Sequence, residues 1–446
     1  MEYTDKLKRV CVLGAGGKMG SGILLLTALE MAALSRTPGN EDKEFSLMGI
    51  DVSAENLKGV RQYIREQTRK VAEKSIVRLR EVYRERKDLV ENAEIIDQYI
   101  LDVMHFIQTS TSVEQAFGSS IVFEAVSEDP DLKLKLLGEI ERNSDGNTWY
   151  LTNTSSIPIH FLNEGAALGG RIIGFHFYNP PAVQRLVELI PTGSTSPDLR
   201  EFSMEYASRL RKTVVVSNDV AGFIGNGHFM RDILFGAAAV EKLADRLSLP
   251  QSICMINRVT KDFLIRPMGI FQLTDYVGLD VCQYIMSVMD PHMKEEHLRC
   301  GLIERLTQQG VRGGQYPDGS QKDGFFRYEG GRMTGVYDPD VKNYVDLDEI
   351  KDQCDRALGP LPEGHVPWKK LIRERNKADI LQPYFRQLTA SASPGAKLAV
   401  DYGRNSCSTG KLLVEKKVAG STGDVNTVLL TGFYHAYGPV NEYFNE

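Results

Sequence analysis

An α/β domain built on a parallel sheet, followed by all-α domains, is the fold class this sequence predicts. Three observations carry it. Short apolar runs alternate with helical stretches over roughly the first 215 residues. A glycine-rich turn separates the first apolar run from an apolar helix, and beyond Asp219 the apolar spacing turns helical. The expected organisation is a Rossmann-like domain over residues 1–217, a helical domain over 218–335 and a further helical region over 336–446.

Composition narrows the class. The 446 residues are 42% hydrophobic and 25% charged, which excludes a disordered chain, a collagen-like fibre and a disulfide-dense miniprotein. Lys plus Arg total 53 against 59 Asp plus Glu, a net charge of −6. No global attraction for nucleic acid or anionic lipid follows, so neither nucleic acid nor membrane is an expected partner. Cys11, Cys254, Cys282, Cys300, Cys354 and Cys407 form no C-x-x-C pair, so no metal site is expected and a reducing cytoplasm fits best. The polar start lacks the apolar core of a signal peptide, and residues 23–34 are too few to span a bilayer.

Taken in order, the first strand is Arg9-Val10-Cys11-Val12-Leu13, ending in Gly14-Ala15-Gly16-Gly17-Lys18-Met19-Gly20. A helix over 23–34 follows, then a strand over 45–50 that stops at Asp51, the order of a nucleotide-binding βαβ unit. Residues 58–91 read as helical and hold eleven Lys or Arg against six acids. Further apolar runs at 120–126, 148–151, 171–177, 186–190 and 213–216 complete the sheet. Residues 310–335 hold eight glycines and read as a loop, with helix again beyond 346. At an offset of 169 residues Lys242-Leu243 falls on Lys411-Leu412, Asn257 on Asn426, Val259 on Val428 and Gly269 on Gly438. Either the helical region is duplicated, or two unrelated helical units share composition.

Glycines at 14, 16, 17 and 20 let the backbone approach a pyrophosphate while the next helix offers free N–H groups, including those of Lys18 and Met19. The G-x-G-x-x-x-G spacing is one residue longer than usual, and a glycine turn without ligand is the competing reading. Asp51 supports a cofactor: an acid ending the second strand accepts from ribose hydroxyls and repels a 2′-phosphate, favouring NAD over NADP. The long separation of Gly14 from Asp51 fits a polar insertion at 37–44. His176, in Gly174-Phe175-His176-Phe177-Tyr178-Asn179-Pro180-Pro181, is the proton-transfer candidate. Glu188, in the apolar strand Leu186-Val187-Glu188-Leu189-Ile190, is the carboxylate that would hold its ring, because a Glu there needs a partner or a function.

These segments resemble the 3-hydroxyacyl-CoA dehydrogenase family from the first strand to about Tyr328. The resemblance runs through Glu124-Ala125-Val126-Ser127-Glu128, Asn153-Thr154-Ser155-Ser156-Ile157, the His176 and Glu188 segments, Gly222-Phe223-Ile224-Gly225-Asn226 and Pro267-Met268-Gly269-Ile270-Phe271-Gln272-Leu273. It implies that His176 is the acid–base, that Glu188 orients it, and that Asn226 and Ser155 hydrogen-bond the reacting oxygen. It also implies cofactor contacts at Glu128, Lys133 and Asn153, substrate contacts at Lys74, Gln67 and Asn179, and an acyl-CoA substrate with NAD. A solvated helix charge competes for Lys133, and a solvated amphipathic face for the basic helix.

The departures are specific. Gly227-His228 follows Asn226 where larger apolar or basic residues are usual, which is expected to reshape the cleft floor. Lys322 sits one place from the position where the family carries a lysine before Gly324. The last hundred residues are similar to the multifunctional fatty-acid oxidation enzymes, whose helical domain is duplicated, so a monomer stands beside a homodimer through the helical domain. Relatives acting on CoA-free hydroxy acids, carnitine or diketones, and a non-catalytic dinucleotide-binding protein, are the alternative functions.

Overall fold

A computed structural model describes all residues except 1, 41, 294, 317–318 and 445–446, so Glu41 of the polar insertion and Pro317 and Asp318 of the glycine-rich loop lie outside the described residues. The chain forms two compact units, Met1–Asp219 and Val220–Glu446.

The first unit is an eight-stranded sheet. Its strands are β1 (Arg9–Leu13), β2 (Ser46–Ile50), β3 (Ile107–Ser110), β4 (Ile121–Glu124), β5 (Trp149–Thr152), β6 (Ile172–Phe177), β7 (Leu186–Ile190) and β8 (Thr213–Val216). They lie in the order β3-β2-β1-β4-β5-β6-β7-β8. Every residue of β4, β5, β6 and β7 is buried, which is why these strands read as unbroken apolar runs and not as alternating ones. β1 pairs in parallel with both β2 and β4, so the chain reverses its direction of travel across the sheet beside β1, the place where open α/β sheets bind ligands.

Two features depart from the sequence reading. β3 was not among the expected strands: only Ile107 of its four residues is buried, because it is an edge strand with a polar sequence. The sheet is also not wholly parallel, since β7 runs antiparallel to β6. The link from Phe177 to Leu186 is too short for a crossover helix, so β7 must turn back beside β6. The 58–91 stretch is likewise not one helix. A helix over Ala54–Lys74, capped by the Ser53 side chain accepting from Asn56 N, buries Leu57, Val60, Ile64, Thr68 and Ala72 at helical spacing. It breaks at Ser75, resumes at Ile76–Val82, and a separate helix covers Asn92–His105.

The second unit is mostly helical, but residues 326–346 form a three-stranded antiparallel sheet, β9 (Phe326–Glu329), β10 (Arg332–Asp338) and β11 (Asn343–Asp346). This corrects the expected loop. Gly330 and Gly331, with φ of 55° and 77°, supply the two positive angles a tight hairpin turn requires. The expected boundary between 335 and 336 falls inside β10, and residues on both sides of it share one core in which Phe263, Phe271 and Phe325 join Tyr384, Phe385 and Tyr402. Buried Asp275 accepts from Phe325 N, Phe326 N and the Tyr328 hydroxyl, holding the glycine-rich segment against the helices.

The 169-residue echo has a structural counterpart. Lys242-Leu243 and Lys411-Leu412 each lie near the end of a 22-residue helix, Phe223–Ala244 and Pro394–Glu415. Each is followed by a shorter helix with a serine N-cap, Leu249–Arg258 and Thr422–Gly432. Asn257 Oδ1 accepts from Gln272 N at 3.0 Å, and Asn426 Oδ1 from Val440 N at 2.9 Å. A Cβ on Gly269 or Gly438 would fall within 2.3 Å of the Oδ1 of the corresponding asparagine, so both glycines serve the same close approach. Among the described residues no helix is long and apolar enough to cross a membrane.

Candidate active site

The glycine turn sits at the end of β1. Gly14 has φ 73°, and a Cβ there would fall 2.4 Å from Ala125 O, just past β4; one on Gly20 would fall 2.1 Å from Gly14 O. Only glycines allow strand, turn and helix to pack this closely. The extra residue is absorbed before the helix: Gly17 N donates to Gly14 O, Gly17 is the N-cap, and the helix Lys18–Leu34 begins one residue later. Gly17 and Lys18 are exposed and Met19 is half-buried. Asp51 accepts from Gly16 N at 2.9 Å and from Ser53 N at 3.0 Å, which leaves lone pairs on its two oxygens for hydroxyl donors. A tight glycine turn, a helix N-terminus and a strand-end carboxylate tied to the turn fit a dinucleotide.

His176, near the C-terminal end of β6, is on the same edge of the sheet as the glycine turn. The antiparallel register sets it directly opposite Glu188 on β7, with Nδ1 3.4 Å from Oε1. That is long for a hydrogen bond, and contacts of this kind shorten in reactive complexes. Glu188 is fully buried and His176 nearly so. The same Glu188 oxygen accepts from the Tyr178 hydroxyl at 2.7 Å. Burial, then the Glu188 carboxylate, push the Tyr178 phenol well above its ordinary value, so it is a donor. Sequence reasoning gave Tyr178 no role. The signal was its position two residues beyond His176, which at strand spacing points both side chains to one face.

The turn after β5 is organised by Glu128. Its Oε1 accepts from the Thr154 hydroxyl, from Ser155 N at 2.8 Å and from Ser156 N at 3.0 Å, with the Ser155 hydroxyl at 3.3 Å. Lys133 is not a solvated charge. It is 1% exposed, with its ammonium 2.7 Å from Glu124 Oε1 and 3.3 Å from Glu128 Oε2. Burial pulls the Lys133 pKa down, but the two carboxylates outweigh it and hold the group above the usual lysine value. Glu128 is held below the usual carboxylate value, because Lys133 and the turn's donors outweigh its burial. Glu124 was also given no role, although a carboxylate at the end of a wholly buried strand is the same signal that singled out Glu188. Asn153 Oδ1 accepts from Phe177 N at 2.9 Å and ties the end of β5 to β6.

The remaining expected residues are dispersed. Asn179 is exposed in the β6–β7 turn, Gln67 is half-buried within the basic helix and Lys74 is exposed at its last position. Asn226 belongs to the second unit, in the first turn of the Phe223–Ala244 helix. His228 does not form a cleft floor. It is fully buried, with Nε2 3.1 Å from Ser406 O on the Pro394–Glu415 helix, because Gly227, where a Cβ would fall 3.0 Å from Leu413, lets the two helices pack closely. Lys322 lies with its ammonium 5.4 Å from the Tyr316 ring centre. Among the described residues no group of three or more His, Cys, Asp or Glu is gathered that could hold a metal ion.

Comparisons with known proteins identify the domains of the chain. Residues 9–220 match the family described as 3-hydroxyacyl-CoA dehydrogenase, NAD binding domain, and residues 222–323 match 3-hydroxyacyl-CoA dehydrogenase, C-terminal domain. A probable 3-hydroxybutyryl-CoA dehydrogenase of Bacillus subtilis is 29% identical over 328 residues, 73% of this chain and 98% of that protein. The human mitochondrial hydroxyacyl-coenzyme A dehydrogenase is 29% identical over 282 residues, 63% of this chain and 79% of its own. The crystal structure of 3-hydroxybutyryl-CoA dehydrogenase from Escherichia coli shares the fold with a TM-score of 0.63 at 21% identity, covering 97% of this chain and 90% of that one. The last hundred residues therefore have a counterpart in a known fold. With an NAD-binding first unit and a matching helical domain after it, the chain belongs to the 3-hydroxyacyl-CoA dehydrogenase family of NAD-dependent oxidoreductases.

Proposed function

We propose that this protein interconverts a (3S)-3-hydroxyacyl-CoA and its 3-oxoacyl-CoA, with His176 and Glu188 moving the proton. The observation that carries the reading is the cross-strand pair: an imidazole 3.4 Å from a fully buried carboxylate, on the sheet edge that also bears the glycine turn. When bound, NAD+ would accept the hydride in oxidation and NADH would supply it in reduction. His176 takes the hydroxyl proton in oxidation and returns it in reduction. Glu188 fixes the ring and stabilises the imidazolium that forms. Ser155 donates to the reacting oxygen as charge develops there, and the resemblance alone gives Asn226 the same role. Glu128 and Lys133 serve the cofactor side of the site, Glu128 also holding the Ser155 turn; Asn153 braces β5 against β6. Lys74, Gln67 and Asn179 belong to the CoA side, where the exposed Lys74 ammonium would meet a phosphate well.

The names of the relatives support the substrate class, and a cytoplasmic setting accords with six scattered cysteines, all of them free. The decisive assay supplies NAD and a panel of (3S)-3-hydroxyacyl-CoA esters and follows NADH absorbance. Turnover of the esters is expected. Activity confined to CoA-free hydroxy acids, carnitine or diketones would reassign the substrate, and NAD binding without any turnover would make the protein a sensor.

The paired helices, the paired asparagine–glycine contacts and the shared core support reading 336–446 as a degenerate second copy of the helical domain. Packed against the Phe223–Ala244 helix, such a copy would cover the surface that the resemblance to the multifunctional enzymes assigns to dimerisation. We infer a monomer.

A further inference from the structure

We propose that Tyr178 is a positioning residue for proton transfer, its hydroxyl holding the Glu188 carboxylate turned toward His176. The inference rests on the reading that His176 carries the proton. Tyr178 donates at 2.7 Å to Glu188 Oε1, the same oxygen that lies 3.4 Å from His176 Nδ1. A carboxylate oxygen has two lone pairs, so a donor on one side directs the other toward the imidazole. The His176 and Tyr178 rings are 4.8 Å apart at an interplanar angle of 42°, so the phenol also packs against the imidazole.

The arrangement is held from outside the three side chains. Lys212 donates to the carbonyls of Pro181 and Gln184, pinning the turn that follows Tyr178. Its ammonium also lies 5.6 Å from the Phe177 ring centre. Beneath the same turn, Gly22 of the Lys18–Leu34 helix leaves room for Pro181: a Cβ there would fall 2.9 Å from the proline ring. Tyr178 therefore has little freedom to leave Glu188. Without its hydroxyl, a fully buried carboxylate would lose a short charge-assisted hydrogen bond and turn toward other donors. That rotation spoils the orientation of the imidazole and leaves the binding surfaces for substrate and cofactor untouched.

The test compares four full-length proteins: parent, Tyr178→Phe, Glu188→Gln and the double variant, reducing acetoacetyl-CoA with NADH. Tyr178→Phe is expected to lower kcat about tenfold while KM for both reactants stays within about twofold, the pattern of an interaction needed only in the reactive complex. On the Glu188→Gln background the same change is expected to cost less than about twofold, because the partner it acts through is already altered. A parent-like kcat, an equal loss on both backgrounds, or a KM effect alone would overturn the proposal. A second readout does not need turnover: the low-field proton NMR signal of the carboxylate-facing imidazole N–H, assigned by its loss in His176→Gln. A shift of that signal in Tyr178→Phe, with no parent turnover, would retire the reaction and leave the positioning role; an unmoved signal would retire the role.

Discussion

His176 owes its placement to a register. One residue of slip between β6 and β7 would turn its side chain to the opposite face from Glu188, so the pair exists only while Gly174 stays opposite Ile190 and Phe177 opposite Val187. That register is protected by the apolar side chains packed on both faces of the two strands. His176→Gln leaves these contacts in place. NADH affinity, measured by fluorescence titration, should therefore stay near the parent value while kcat falls by about 10²-fold or more. A rate close to the parent's would end the acid–base assignment. His176 and Glu188 were legible in the sequence because a titratable group among apolar strand residues stands out. Tyr178, Glu124 and Glu128 in its clamping role were not, since each takes its meaning from a partner that only the folded sheet brings near.

At the scale of elements, the two 22-residue helices meet through a buried polar cluster that no periodicity announces. Arg266 donates to Asp232 Oδ2 at 2.8 Å and to the Ser406 hydroxyl at 3.1 Å, and the Tyr402 hydroxyl donates to Asp232 O. His228 and His435 are buried in the same region. Burial holds the His228 imidazole below the usual histidine value, with Arg266 adding and Asp232 opposing; burial, Arg266 and His228 hold His435 well below it. An unfolded chain binds a proton on each ring as pH falls through about 6.5, whereas the folded chain resists. Their contribution to stability is thus complete above that pH and lost progressively below it. Thermal unfolding should show a smaller drop in Tm between about pH 7 and about pH 5 for His228→Gln than for the parent. Equal drops would remove His228 from the account. The elements themselves were legible where burial is uniform, as in β4 to β7. β3 and the β9–β10 hairpin are not legible in the sequence, the first because an edge strand carries polar residues, the second because the glycines around Gly330-Gly331 look like a loop while that pair makes a hairpin turn.

At the scale of the whole molecule, the last hundred residues share the core begun by residues 220–335. Tyr384 and Tyr437 donate to the carbonyls of Phe263 and Leu264, and Gly395 packs against Phe263, so the later segment closes the irregular stretch at 259–265 from outside. Light scattering at micromolar concentration should give the mass of a single chain, and a dimer mass would overturn the inferred monomer. The sequence by itself determined the βαβ unit and the family and pointed to the glycine turn with Asp51 and to His176 beside Glu188, because glycine geometry, strand-end chemistry and long apolar runs are local properties written at fixed spacings. Only the tertiary structure decided that Lys133 is an internal ion pair, that His228 faces a second helix, and that 336–446 shares a core with what precedes it. Those outcomes depend on which distant residues come into contact, and no local spacing encodes that.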